Sequence, residues 1–150
     1  MILVSCASDR TGEPSICIPV TNDRYASAPR ILVVEDDPDI RDAEVGLLED
    51  AGYSVAGVCD GAEALKFLRE HRGTPCLIVL DLMMPVMNGF EFCAERAKDP
   101  SLSRIPLLVV SAIDRDDARV RSTRADAHLV KPFCVDDFVG TVSSLCEPAS

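Results

Sequence analysis

Short runs of consecutive aliphatic residues alternate with amphipathic segments along most of the chain. Five mainly apolar runs, each four to six residues long and bounded by polar or turn-forming residues, lie at 31–34, 53–58, 76–80, 107–110 and 127–130, and those at 31–34, 76–80 and 107–110 are unbroken. Because neighbouring positions in a strand face opposite sides of a sheet, an unbroken apolar run predicts a strand that is buried on both faces. We therefore predict five buried strands.

The segments between these runs carry helix signals. Asp37 is placed as an N-cap and Pro38 as the first residue of a helix that Gly52 ends. We predict further helices from a capping box at Asp60 to the region of Gly73, over 89–97, over about 114–123 with a weak pattern, and over 135–145. Strands that alternate with helices predict an α/β fold with a doubly wound, five-stranded parallel sheet.

The first 29 residues do not share this pattern. They are rich in polar residues and proline, and only short apolar pieces interrupt them. We predict a poorly ordered extension over 1–29, a folded domain over 30–146 and a short tail over 147–150. A docking segment or an additional edge strand is the alternative for residues 1–29.

Composition narrows the classes of partner. The formal net charge is −10, and no dense run of Lys or Arg is present, so we expect no direct contact with nucleic acid or membrane. The seven cysteines are scattered, without the closely spaced ligand pairs of a zinc site. We therefore expect reduced, structural thiols in a cytoplasmic protein. No run approaches the ~20 apolar residues of a membrane span.

Reactive side chains follow four of the five predicted strands. Because parallel strands end at one edge of the sheet, we expect these side chains to lie together there. In chain order they are Glu35, Asp36 and Asp37 after the first strand, Asp81 after the third, Ser111 at the end of the fourth and Lys131 after the fifth.

This set of side chains indicates phosphoryl chemistry. Clustered carboxylates repel one another unless a cation is bound, and Mg²⁺ prefers such oxygen ligands. A carboxylate can attack phosphorus to form an acyl phosphate, while a lysine and a hydroxyl hold the phosphate oxygens. Taken singly, each residue has an ordinary explanation as a helix cap, a turn residue or a solvated charge. The combination in this order predicts a phosphoryl-accepting site.

The same residues resemble the receiver domain of two-component response regulators. The resemblance runs from about Arg30 to Leu145 and rests on four ordered motifs. They are Ile31-Leu32-Val33-Val34-Glu35-Asp36-Asp37-Pro38, the stretch Val79-Leu80-Asp81-Leu82-Met83-Met84-Pro85-Val86-Met87-Asn88-Gly89, Leu108-Val109-Val110-Ser111-Ala112, and Val130-Lys131-Pro132-Phe133.

The resemblance implies the flavodoxin-like (βα)5 receiver fold and a role for each matching residue. Asp81 is the implied phosphoacceptor, assisted by Ser111 and Lys131. Glu35, Asp36, Asp81 and the backbone carbonyl of Met83 are the implied Mg²⁺ site, and the Lys131–Pro132 peptide is implied to be cis.

The implied partners are a histidine kinase or a histidine phosphotransfer protein, a downstream protein target and, in some members, a phosphorylation-dependent homodimer. We expect a signalling phosphoacceptor rather than an enzyme. Since the sequence ends soon after the last predicted helix, we also expect a stand-alone receiver.

Two positions depart from the family pattern. His128 stands where the family has Tyr or Phe. We expect it to act as a switch residue together with Ser111, and the alternative is that it stays half-exposed and only covers the fifth strand. Arg124 stands where the family favours Gly.

Two other functions remain as alternatives. A phosphohydrolase usually needs a second carboxylate two residues after the nucleophile, and that position is Met83. A small-ligand carrier would need a glycine-rich phosphate loop after the first strand, which is absent from the sequence.

Overall fold

The protein forms a five-stranded parallel sheet with helices on both faces. The computed structural model describes residues 30–71 and 75–146. The strands are β1 (Ile31–Val34), β2 (Val55–Val58), β3 (Leu77–Leu80), β4 (Leu107–Ser111) and β5 (Ala127–Val130). The helices are α1 (Pro38–Asp50), α2 (Gly61–Glu70), α3 (Gly89–Ala97), α4 (Pro100–Ser103), α5 (Ala118–Ser122) and α6 (Val135–Leu145).

The strand order is β2-β1-β3-β4-β5, with all pairs parallel. From β1 the chain first adds β2 on one side of it and then crosses over to add β3 on the other side. Sheets of this kind bind their ligands in the crevice between two such strands, here β1 and β3. Two apolar clusters cover the faces. One cluster packs α2, α3, α4 and α5 against the sheet, and the other packs α1 and α6 against its opposite face. The predicted α/β fold and all five strands are confirmed.

Most differences from the predicted elements lie at helix ends. The α1 helix begins as predicted, with the Asp37 side chain accepting hydrogen bonds from the backbone N–H groups of Asp39 and Ile40. The helix predicted over about 114–123 is shorter, spanning Ala118–Ser122. The short α4 was not predicted, because a four-residue helix has too few positions to show a helical period.

The expectation that the cysteines are reduced is wrong for two of them. Cys76, just before β3, and Cys146, the C-cap of α6, form a disulfide with a Cα–Cα distance of 5.9 Å. Their separation of 70 positions gave no signal in the sequence, because only the fold returns the end of α6 to the start of the central strand. Within the described residues, Cys93 and Cys134 are free thiols, and the Cys59 thiol donates to Asp60 Oδ2 at 3.8 Å.

Two sequence predictions concern residues outside the described ranges. The extension at 1–29 and the tail at 147–150 both lie there, so both stay predictions. Among residues 30–71 and 75–146, no helix has the length and apolar composition that crossing a bilayer requires.

Candidate functional site

The loops that follow β1 and β3 bring three carboxylates together. Glu35 and Asp36 follow β1 directly, and Asp81 follows β3, the neighbouring strand. One carboxylate oxygen from each of these residues lies within 4.8 Å of those of the other two. Glu35 is 2% exposed and Asp81 is 8% exposed, so two of the three charges are largely removed from water.

Lys131 supplies the positive charge of this cluster. It follows β5, and its Nζ donates to Glu35 Oε1 at 3.0 Å and lies 3.9 Å from Asp81 Oδ1. Burial disfavours the charged ammonium, but the hydrogen bond to Glu35 and the charge of Asp81 outweigh it and raise the pKa of Lys131. The lysine therefore stays charged between the two carboxylates.

Glu35 and Asp81 have higher pKa values than ordinary surface acids. Burial and then the charge of Asp81 raise the pKa of Glu35 to about 7, against the lowering effect of Lys131. Burial also raises the pKa of Asp81, and Asp36 adds to the effect by repulsion. A divalent cation would relieve this repulsion. Three carboxylates that lie close together and repel one another form a suitable site for Mg²⁺.

The loop after Asp81 is held close to the sheet by a glycine. Gly89, the first residue of α3, donates its backbone N–H to Leu82 O at 2.9 Å. A Cβ at this position would lie 2.6 Å from the Leu82 Cα and 2.8 Å from the Asp81 carbonyl oxygen. Only glycine allows this approach, which fixes the loop that carries Asp81.

Met83 lies in the same loop. Its backbone N–H donates to Asp81 Oδ1 at 3.3 Å, and its side chain is exposed. This bond helps to orient the Asp81 carboxylate. The predicted ligand role of the Met83 carbonyl stays a prediction.

Ser111 and His128 lie on the two neighbouring strands β4 and β5. Ser111 is fully buried, and its Oγ accepts a hydrogen bond from the Ile113 backbone N–H at 3.1 Å. His128 pairs in register with Val109, and both of its ring nitrogens are buried without a hydrogen-bond partner in the described part of the chain. Burial, followed by the charge of Arg115, lowers the pKa of His128. The Lys131–Pro132 peptide is cis, which confirms that expectation.

Two buried charged residues of α1 were missed by sequence reasoning. Arg41 donates from Nη1 to the Glu35 carbonyl oxygen at 2.9 Å and so holds the end of β1. Glu44 is 4% exposed, and its Oε2 has no hydrogen-bond partner among the described residues. Burial, and then the charge of Glu35, raise the pKa of Glu44 to about 8. Both lie on the buried face of α1 beside Val45 and Leu48, whereas the apolar stripe predicted for this helix ran through Ile40 and Ala43, which are exposed.

Comparison with known proteins decides the family. The family model described as the response regulator receiver domain matches residues 31–143. This protein belongs to the response regulator receiver family. The match covers every strand and helix of the fold except the last two residues of α6.

Individual relatives agree with this membership. The chain is 40% identical over 126 residues to the transcriptional regulatory protein PrrA of Mycobacterium bovis, covering 82% of this chain and 52% of that one. The chain thus spans about half the length of the curated relatives that it matches.

Solved receiver structures are also similar. The chemotaxis response regulator CheY4 of Vibrio cholerae superposes with a TM-score of 0.72 at 30% identity, covering 79% of this chain and 99% of that one. The Mn²⁺-bound form of response regulator Rcp1 superposes with a TM-score of 0.66 at 25% identity, covering 81% and 97%. The receiver fold predicted from the sequence is confirmed.

Proposed function

We propose that this receiver domain accepts a phosphoryl group on Asp81 from a phosphohistidine of a histidine kinase or a histidine phosphotransfer protein. The observation that carries the proposal is the arrangement of Asp81 beside Glu35, Asp36 and Lys131 at the crevice between β1 and β3. A general role in accepting phosphoryl groups belongs to the family, and the assignment to these residues is ours.

The proposed reaction is an in-line displacement. An Asp81 carboxylate oxygen forms a bond to phosphorus while the bond between phosphorus and the donor imidazole nitrogen breaks, and the imidazole leaves with the bonding pair. Bound Mg²⁺, held by Glu35, Asp36, Asp81 and the Met83 carbonyl, would supply charge neutralisation for the transferring group. Lys131 would turn from Glu35 to a phosphate oxygen, and Ser111 would donate its hydroxyl proton to another.

The environment of Met83 supports a phosphoacceptor over a phosphohydrolase. Its exposed thioether side chain occupies the position two residues after Asp81, where a hydrolase would place a general acid or base. With no carboxylate at that position, the site lacks the group that would activate a leaving alcohol for multiple turnovers.

Exposed apolar side chains support a protein partner at this edge. Within the described residues, the large apolar side chains that are exposed are Ile40, Met83, Val86 and Val135. They come from the first turn of α1, the loop after β3 and the start of α6, which all follow the carboxyl ends of strands. A rim of this kind around a reactive centre is typical of a protein contact surface. We propose that the phosphodonor protein docks there.

We further propose that phosphorylation is read out by protein contact, through a shift between two populated states. Ser111 and His128 would be the residues that change position. The relatives' names include transcriptional regulators, and such an output for this chain stays a proposal, as do the stand-alone state and the phosphorylation-dependent homodimer.

Acetyl phosphate labelling followed by intact-mass measurement tests the proposal. We expect one phosphoryl group, formed with Mg²⁺ and absent with EDTA, and none on Asp81→Asn. Val86→Ser should slow transfer from a phosphohistidine protein while leaving acetyl phosphate labelling unchanged, because the small donor needs no docking surface. Labelling that is indifferent to Mg²⁺ would refute the assignment of the acidic cluster.

A further inference from the structure

A pocket lies at the edge of the sheet opposite to Asp81. It has a volume of about 620 Å³ and is lined by α3, the segment between α4 and β4, and the turn between α5 and β5. Pro106 comes directly before β4 and Asp126 directly before β5, so this end of the pocket lies at the opposite end of the strands from Asp81. At about 3.3 Å per residue the length of a strand is roughly 15 Å. Phe90, near the start of α3, lines the end of the pocket that is nearer to the Asp81 loop. The volume is within the range of small-molecule sites.

The charge of the pocket is opposite to that of the whole chain. Three arginines, Arg96, Arg104 and Arg124, line it together with one acid, Asp126. The chain carries a formal net charge of −10. The Asp126 carboxylate is already engaged, because its Oδ2 accepts a hydrogen bond from the Leu107 backbone N–H at 2.8 Å. The pocket is thus a local concentration of positive charge on an acidic protein.

Arg96 forms a fixed wall of this pocket. It is 6% exposed, and its Nη2 donates to the carbonyl oxygens of Ser103 and Ile105, which ties α3 to the segment before β4. Its Nε is buried and has no hydrogen-bond partner within the described residues. A buried guanidinium with an unused donor is costly, and a bound anion would lower that cost.

Arg104 and Arg124 offer unused guanidinium groups at the rim. Both are exposed, and neither side chain has a hydrogen bond or an ion pair in residues 30–71 and 75–146. Arg124 also has a φ of 57°, in the left-handed region where a Cβ costs free energy and glycine is favoured. The chain therefore keeps an arginine at this position against a backbone preference, as a functional role for its side chain would require.

We propose that this pocket binds a small organic phosphate. Two unpaired guanidinium forks match the geometry and charge of a dianionic phosphate group. The apolar surfaces of Phe90, Ala94 and Pro106 line the same pocket and would pack against the body of the ligand. The site is separate from Asp81 and needs no metal.

Calorimetric titration with AMP tests the proposal, with EDTA present so that the acidic edge cannot bind a nucleotide through a metal. Adenosine and inorganic phosphate are the comparison ligands. We expect AMP to bind more tightly than either, because only AMP engages both the arginines and the apolar wall. Absence of AMP binding at millimolar concentration would overturn the proposal, and so would equal affinity for adenosine.

Variants localise the binding. Arg104→Ala and Arg124→Gly should each weaken AMP binding by about tenfold or more, as expected for a lost charge-assisted hydrogen bond. Lys66→Ala removes an exposed charge from α2, away from the pocket, and Asp81→Asn alters the opposite edge. Both should bind AMP as the parent protein does. Loss of binding in Asp81→Asn, or unchanged binding in both arginine variants, would overturn the proposal.

The melting temperature separates a binding role of Arg124 from a structural one. Because glycine relieves the left-handed backbone, Arg124→Gly should raise the melting temperature by roughly 4 °C while it weakens AMP binding. A variant that is more stable yet binds less tightly shows that the side chain is kept for the ligand. A lower melting temperature together with weaker AMP binding would show that the Arg124 guanidinium supports the fold instead.

Discussion

Lys131 Nζ donates to Glu35 Oε1 at 3.0 Å, although the two residues lie 96 positions apart in the chain. The Lys131 side chain is 24% exposed and the Glu35 side chain 3%, so the pair is only partly screened by water. The same ammonium lies 3.9 Å from Asp81 Oδ1. One lysine after β5 thus neutralises carboxylates that follow β1 and β3.

Replacing this lysine should lower stability in a pH-dependent way. We expect Lys131→Met to reduce the free energy of unfolding by about 2 kcal/mol at pH 8, because a charged hydrogen bond to a buried carboxylate is lost. At pH 5 the loss should be much smaller, since Glu35, with a pKa of about 7, is then mostly protonated. Urea denaturation at both pH values, without Mg²⁺, measures the difference. An equal loss at pH 5 would show that the ion pair does not cause it.

Asp36 and Asp37 should separate metal binding from helix capping. Asp36 belongs to the carboxylate cluster, whereas Asp37 Oδ1 accepts from the Asp39 N–H at 2.9 Å at the start of α1. We expect Asp36→Ala to lose most of the affinity for Mg²⁺. Asp37→Ala should keep that affinity and lose about 1 kcal/mol of stability through the missing cap. Calorimetric Mg²⁺ titration and urea denaturation check the pair, and equal losses of affinity would contradict the distinction.

Glu44 should make the protein less stable as the pH rises. Its pKa is about 8 in the folded protein, above the ordinary value of 4.5, so the unfolded chain releases this proton more readily. The contribution of Glu44 to stability is therefore complete below pH 4.5 and is lost as the pH rises to about 8.

Glu44→Gln keeps the shape of the side chain and removes its titration. We expect the variant to lose stability less steeply between pH 5 and 8, by about 1 kcal/mol per pH unit relative to the parent protein. Glu70→Gln, an exposed change at the end of α2, is the control and should leave the slope unaltered. A slope that is the same in Glu44→Gln and the parent would contradict the buried, protonated state of Glu44.

His128 should make the protein less stable as the pH falls, which is opposite to the effect of Glu44. Its folded pKa lies below 6.5, so its stabilising contribution is present above pH 6.5 and is lost as the pH falls toward the folded pKa. The charged groups that act on the ring are Arg115 and Asp114. We predict that the beryllofluoride form, a phosphoryl mimic, binds its partner or dimerises more weakly between about pH 6.5 and 5.5.

Phenylalanine at this position removes the titrating group and keeps an aromatic ring. We expect His128→Phe to flatten the pH dependence and to leave Asp81 labelling intact. The chain's second histidine provides the control, since His71 lies in a different element and His71→Phe should preserve the pH profile. A profile unchanged by His128→Phe would show that His128 only covers β5.

The fold was predictable because its strands are buried on both faces. An unbroken apolar run such as Ile31–Val34 indicates a strand that is buried on both faces. The order of the strands and helices then fixes which residues meet at the carboxyl edge of the sheet. The cluster of Glu35, Asp36 and Asp81 therefore followed from position alone, before any distance was known.

Features that depend on tertiary contact were not predictable. The Cys76–Cys146 disulfide joins two parts of the chain with no relation in sequence, and α1 buries two charged residues, Arg41 and Glu44, beside Val45 and Leu48. The left-handed backbone at Arg124 has no signal in the residue type itself, and only the family's preference for Gly at this position points to it. The disulfide and the buried charges depend on how the helices pack on the sheet.

The central claim is that Asp81 itself carries the phosphoryl group, and borohydride reduction tests it most directly. After reaction with acetyl phosphate and Mg²⁺, hydride converts an aspartyl phosphate to homoserine, which peptide mass spectrometry locates by residue. We expect homoserine at position 81, dependent on both acetyl phosphate and Mg²⁺. Homoserine at Asp36 or another aspartate, or an unreduced Asp81 in protein that has gained the phosphoryl mass, would contradict the account.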